Sequence, residues 1–188
     1  MDEIALARHG ESVAAAQGLV GGDSPLTERG REQARSLGAR LRRRAIDICI
    51  TSGARRARET ATFALEGRQI PIAMDEDLGD IGFGVFDGRP LSEYRAWVET
   101  HHPDEAPPGG ESRVESLRRV LRAFRALVER RERFILVIAH GLTLQTVLDP
   151  TPRPIVADVP YGSAVFLRAV EFEHAVERLE KWCSAQAW

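Results

Sequence analysis

Along this chain, short unbroken apolar runs alternate with longer stretches in which apolar residues recur every three or four positions. Residues 4–7, "AIDICIT" at 45–51 and "RFILVIAH" at 133–140 are of the first kind. They lack the in-out alternation of a half-exposed strand, so they predict strands covered on both faces, as in parallel sheets. The second kind predicts helices. One runs from Thr27, a side chain suited to N-capping, to about Arg44, with Ala34, Leu37 and Leu41 on one face. Another begins at Ser112, where "SRVE" reads as a capping box, and carries Val114, Leu117, Val120, Leu121, Phe124, Leu127 and Val128 in a single stripe. That stripe is core, and the arginines between its members lie on the solvated face.

Strands alternating with helices over residues 1–188 predict one α/β domain whose central sheet is largely parallel and covered by helices on both faces. The run "SAVFLRAVEF" at 163–172 reads as late edge strand, which makes a mixed sheet with an antiparallel edge the expectation. No internal repeat is present. Residues 82–110 break the alternation: they are rich in glycine and proline and hold Tyr94, Trp97, His101 and His102. Two readings fit that stretch, a functional lid over a site or a surface excursion with its own small apolar cluster around Tyr94 and Trp97.

Composition narrows the function classes. The 188 residues are 43% hydrophobic, enough for one substantial core, and the formal charge of −2 offers no polycationic surface for nucleic acid. Among the 26 basic residues the single lysine is Lys181. Cys49 and Cys183 have no metal-ligand spacing, and His101 and His102 have no third ligand in register, so neither a metal nor a cofactor is expected. With no run of about 18 apolar residues and no basic leader before an apolar stretch, the expectation is a cytoplasmic protein without a membrane partner. Nothing in the sequence sets an oligomeric state.

The chemistry gathers at strand ends. In a parallel sheet, ligands sit beyond the carboxyl ends of the strands, beside the N-termini of the following helices. Arg8 and His9 follow the first strand, Arg56 falls in the first turns after Thr51, and His140 closes the strand beginning near Arg133. Guanidinium forks match phosphate oxygens, so these side chains converge on a phosphate pocket. A neutral imidazole there can attack phosphorus if its other nitrogen keeps its proton on an acceptor, while a second imidazole, if protonated, stabilises the equatorial oxygens.

"RHGES" at 8–12, "PLTERG" at 25–30, "RRARETA" at 55–61, "GGES" at 109–112 and "AHG" at 139–141, in that order over nearly the whole chain, resemble the histidine phosphatase superfamily, which includes cofactor-dependent phosphoglycerate mutases and many small phosphatases. The resemblance implies a three-layer α/β/α sandwich in which His9 is transiently phosphorylated, with Arg8, Arg56 and His140 holding the phosphoryl group and the Gly141 amide pointing at it. It implies that Arg55 and Arg58 are solvated. Where relatives carry a glutamate as proton donor, this chain has Asp80, set back by one methylene, with Glu76 and Asp77 as fallbacks. Where many carry an asparagine near the phosphate, it has Ala15. Glu11 matches a residue near the pocket and is given a supporting role, outside the catalytic set. The implied activity is a metal-independent phosphomonoesterase acting on a small phosphate ester. A mutase-like phosphoryl transferase is the near alternative, and a weakened phosphate-ligand-binding protein the distant one. Specificity is expected from residues 82–110 and the loop before Pro25.

Overall fold

In the computed structural model, which describes residues 1–148 and 159–185, the apolar runs pair into one sheet. Among the described residues its strands are β1 (Glu3–Arg8), β2 (Ile48–Thr51), β3 (Ile72–Met74), β4 (Phe134–Ala139) and β5 (Ala164–Arg168), in the order β3-β2-β4-β1-β5. The first four run parallel, and β5 is antiparallel to β1. The helices are α1 (Val13–Ala16), α2 (Glu28–Leu41), α3 (Arg55–Ala64), α4 (Leu91–Thr100), α5 (Arg113–Val128), α6 (Gly141–Leu148) and α7 (Ala169–Ser184). The expectation of a single unit over 1–188 extends beyond what is described.

Strand alternation divides the core in two. Ile4, Leu6, Ile50, Ile135 and Val137 face α5, α6 and α7, meeting Leu117, Phe124, Leu144 and Phe172. Ala5, Ala7, Cys49, Leu136 and Ile138 face α2 and α3, meeting Leu37, Leu41, Ala57 and Ala61. The product is the expected three-layer α/β/α sandwich. All of β4 is buried because it is central in the sheet and covered on both faces. Thr27 caps α2 by accepting from the Gly30 amide, and Ser112 and Glu115 close the capping box of α5.

Two expectations need correction, and one strand had none. Residues 163–172 are strand only to Arg168; from Ala169 the chain is helical, because Phe172, Ala175, Val176, Leu179 and Cys183 form a stripe at helical spacing that is buried, with Phe124 of α5 set edge-on to Phe172 at 5.5 Å. The excursion at 82–110 is less irregular than its glycines and prolines predict: it contains α4, whose Tyr94 and Val98 join Val20 and Ile81 in a third apolar cluster, with Trp97 against it. The half-exposed three-residue strand β3, with Met74 60% exposed, had too little apolar pattern to be read at all.

Candidate functional site

Sheet register brings the two histidines together. Arg8 is the partner of Ala139 across the β1–β4 pair, so the next residue of each strand, His9 and His140, leaves the sheet beside the other. Their rings meet edge-on with centroids 5.1 Å apart, and the His9 amide donates to the Ala139 carbonyl at 3.0 Å. β2 adds Ser52, whose hydroxyl lies 2.8 Å from His140 Nε2. Helix α3 starts two residues after Gly53 and turns Arg56 inward, whereas Arg55 and Arg58 are exposed as expected. Arg8, His9, Arg56, Asp80 and Gly141 line one cavity of about 400 Å³ at this sheet edge.

Arg56 is the hub of the hydrogen bonding. Its Nη1 donates to the Gly22 carbonyl at 2.8 Å, and its Nη2 reaches Asp80 Oδ2 at 3.1 Å and His140 Nδ1 at 3.2 Å. Its Nε–H points at His9 Nε2 at 3.2 Å. On the other side of that ring, Nδ1 lies 2.7 Å from the Gly10 carbonyl, which accepts only if Nδ1 carries the proton. Both contacts therefore require the same tautomer, with a bare lone pair on Nε2. Burial, then His140, then Arg56 hold the His9 pKa well below its ordinary value, and burial followed by Arg56, Arg119 and Arg8 does the same to His140. Both rings are neutral near pH 7. The conditional picture of a protonated second imidazole does not describe this arrangement, because full burial beside guanidiniums disfavours a further cation.

Arg8 lies over the Tyr161 ring, 3.7 Å from its centroid, and Nη1 donates to the Val159 carbonyl. Tyr161 also stands 5.6 Å from the His9 ring, and it lines the cavity. Gly141 is the first residue of α6, and a Cβ there would stand 3.3 Å from the Arg8 guanidinium carbon, so the glycine lets Arg8 pass close to the helix N-terminus. Two guanidiniums and a helix N-terminal amide beside an imidazole lone pair suit a tetrahedral dianion.

Asp80 belongs to a loop with little regular structure, and Arg119 of α5 fixes it. Arg119 Nη1 donates to the carbonyls of Asp77 and Gly79 at 2.8 and 3.2 Å, and Nη2 donates to that of Asp80 at 3.0 Å. The same guanidinium grips Glu111 of "GGES" at 2.9 and 2.7 Å, and Glu111 Oε2 accepts from the Gly82 amide. The Asp80 carboxylate is thereby held 3.4 Å from His140 Nδ1.

Not every candidate reaches the cavity. His140 is fully buried behind Arg56 and Asp80 and contributes nothing to the lining. Glu11 turns away from it, accepting from the Thr27 hydroxyl at 3.0 Å and pairing with Arg29 at 3.7 Å, so it supports the start of α2. Asp77 pairs with Arg122, and neither it nor Glu76 lines the cavity. His101 stacks on Trp97 and His102 pairs with Asp104, both away from the site. Ala15 does line the cavity, as do Phe83, Leu91, Tyr94, Arg95 and Val98 from residues 82–110. Ser52, Tyr161, Arg113 and Arg119 were missed. A lone serine, tyrosine or arginine carries no pattern, and only "GGES" seven residues ahead of Arg119 marked its surroundings.

Comparison with known proteins shows the family. Residues 4–155 match the family model described as histidine phosphatase superfamily (branch 1). A 2,3-bisphosphoglycerate-dependent phosphoglycerate mutase of Methylobacterium sp. (strain 4-46) is 37% identical over 165 residues, covering 77% of this chain and 78% of the mutase. An adenosylcobalamin/alpha-ribazole phosphatase of Salmonella typhimurium is 35% identical over 140 residues, covering 69% of this chain and 63% of that protein. The alpha-ribazole phosphatase structure from Shigella flexneri superposes with a TM-score of 0.76 at 28% identity, covering 87% of this chain and 89% of that one. No described helix is long and apolar enough to cross a membrane. The two histidines at neighbouring strand ends and the arginine between them thus sit in a chain that belongs to the histidine phosphatase superfamily.

Proposed function

We propose that the protein is a phosphomonoesterase that works through a phosphohistidine on His9. The observation that carries this reading is the His9 tautomer: Nδ1–H is anchored on the Gly10 carbonyl at 2.7 Å, and the Nε2 lone pair faces Arg56 in a cavity shared with Arg8. On binding, a phosphate monoester takes over the Arg56 Nε–H and meets Arg8 and the Gly141 amide. His9 Nε2 then bonds to phosphorus as the P–O bond to the leaving group breaks, and the leaving oxygen takes a proton from Asp80, whose carboxylate has taken it up from solvent as the bound phosphate draws Arg56 away. Water attacks the phosphohistidine, giving its proton to the Asp80 carboxylate; the N–P bond breaks and inorganic phosphate leaves. His140, neutral and held by Ser52, keeps Arg56 and Asp80 in place from behind. The reading involves no metal.

Return of the phosphoryl group to an organic acceptor is the second reading, favoured by the likeness to a phosphoglycerate mutase. Rapid quench at alkaline pH after mixing with 4-nitrophenyl phosphate tests the first half-reaction: an acid-labile phosphoryl group on His9, and loss of turnover in His9→Ala, are expected. Labelling at another residue overturns it. The partition of product between inorganic phosphate and a phosphorylated acceptor such as a phosphoglycerate decides between water and an alcohol in the second half.

A further inference from the structure

We propose that Ser52 is a positioning residue for the acid step: its hydroxyl fixes the tautomer of His140, so that the Nδ1 lone pair of that ring receives the Asp80 O–H once a bound phosphate has drawn Arg56 away. The proposal rests on the phosphatase reading for the role of Asp80, and goes beyond it in giving the proton a place before it is transferred.

The tautomer follows from the contacts at the two ring nitrogens. A guanidinium has only donors, and Arg56 Nη2 points at His140 Nδ1 at 3.2 Å, so Nδ1 is the bare nitrogen. A neutral ring then carries its proton on Nε2, and Ser52 Oγ accepts it at 2.8 Å. In the reverse arrangement Ser52 donates to Nε2, and a proton on Nδ1 meets the Arg56 N–H head-on, leaving Asp80 Oδ2 at 3.4 Å to accept it.

Burial and the sheet give Ser52 this control. Ser52 and His140 are both fully buried, so bulk water does not replace a lost partner. Thr51 pairs with Ile138 across β2 and β4, and the Ser52 amide donates to the Ile138 carbonyl at 3.2 Å, so the sheet itself carries the hydroxyl. The charged and titratable groups about the His140 ring are Arg56, Asp80, His9, Arg8 and Arg119. Three guanidiniums and full burial keep the ring neutral, with one proton to place.

The two oxygens of Asp80 face different groups. Oδ1 accepts from the Ile81 amide at 3.2 Å, while Oδ2 faces Arg56 Nη2 at 3.1 Å and His140 Nδ1. When phosphate draws the Nη2–H off, Oδ2 and Nδ1 confront each other as two lone pairs. A proton taken up by Oδ2 joins them: the carboxyl O–H donates to Nδ1, then turns to the leaving oxygen as the P–O bond breaks. With the ring proton on Nδ1 instead, the imidazole donates to Oδ2 and the carboxylate stays ionised. Ser52 excludes that state.

Ser52→Ala removes one oxygen from the interior and frees the ring to place its proton on Nδ1. The variant is expected to lower kcat/KM for an alkyl phosphate by about tenfold, the worth of one hydrogen bond, and for 4-nitrophenyl phosphate by less than about threefold. Ser52→Thr, which keeps the hydroxyl, is expected to restore the wild-type ratio of the two. Nitrogen NMR of histidine-labelled protein reads the tautomer without turnover, the His140 signals being those absent from His140→Asn. The proton is expected on Nε2 in wild type and Ser52→Thr, and on Nδ1 in Ser52→Ala. A proton on Nδ1 in wild type, an unmoved tautomer in Ser52→Ala, or an equal loss on both esters overturns the proposal. A tautomer that moves as stated in a protein that hydrolyses neither ester keeps the Ser52–His140 lock and counts against the His9 mechanism.

Discussion

At the scale of single residues, Asp80 and His9 carry the sharpest expectations. The Asp80 carboxyl group is one methylene shorter than a glutamate, yet it reaches Arg56 at 3.1 Å and His140 at 3.4 Å, so the backbone has brought it to the site. If it protonates the leaving group, only poor leaving groups need it. Asp80→Asn is expected to lower kcat/KM for an alkyl phosphate by about 10²–10⁴ and for 4-nitrophenyl phosphate far less. An unchanged ratio of the two rate constants removes Asp80 from the role. His9 must be unprotonated to attack, and its pKa is held well below the ordinary 6.5. The acid limb of kcat/KM is therefore expected below pH 6.5, once the ester's own second ionisation near about pH 6 is divided out. A limb at or above 6.5 contradicts a buried, Arg56-flanked nucleophile.

At the scale of elements, the loop from Asp77 to Gly82 is held by α5 in addition to the short turn at Glu76–Leu78. Arg119 satisfies three of its carbonyls and Glu111 one of its amides, so this ion pair acts on Asp80 as a positioning device. Arg119→Gln is expected to reproduce the leaving-group signature of Asp80→Asn in weaker form, with Arg119→Lys intermediate, because an ammonium cannot span the carbonyls and Glu111 as a planar fork does. A uniform loss on aryl and alkyl esters instead assigns Arg119 to stability alone. The same scale explains two glycines of the motifs. A Cβ on Gly10 would stand 2.4 Å from the Gly30 carbonyl oxygen, and one on Gly30 would stand 2.1 Å from that of Glu11. The loop after β1 and the first turn of α2 touch backbone to backbone, which fixes where His9 emerges. Gly30→Ala is expected to cost about 1–3 kcal/mol in denaturant unfolding; a change under about 0.5 kcal/mol means that the two segments can separate.

At the scale of the whole molecule, the site is paid for in pH sensitivity. His9 and His140 are buried and neutral in the folded chain, with pKa values below 6.5, while in the unfolded chain they titrate near that value. Below pH 6.5 the unfolded state binds more protons, so stability rises with pH up to about 6.5 and falls as pH drops below it. Each histidine contributes a slope of up to about 1.4 kcal/mol per pH unit in that window. Urea unfolding between pH 7 and 5 is expected to show this decline, and His140→Asn to flatten it by about half. An equal slope in wild type and variant contradicts the burial of His140 as a neutral ring.

The apolar runs by themselves determined the layers: uninterrupted β-branched segments have to be covered on both faces, and the stripes of α2 and α5 supply the covers. The motif residues Arg8, His9, Arg56 and His140 were legible for a related reason, since each ends a strand, directly follows one or lies in the first turn of the next helix, and parallel pairing collects such positions at one edge. Local pattern failed where long-range packing decides the structure. The end of β5 at Arg168 depends on the face that α7 buries against α5, and α4 forms between glycines and prolines because Tyr94 and Val98 find Val20 and Ile81. Tertiary structure alone decided that His140 stands behind the cavity instead of lining it, that Glu11 holds the Thr27 cap of α2, and that Arg119 holds Asp80 from 39 residues away. Sequence spacing specifies which side chains share a strand end or a helix face; which of them meet depends on contacts between segments far apart in the chain, and those contacts form only when the layers close.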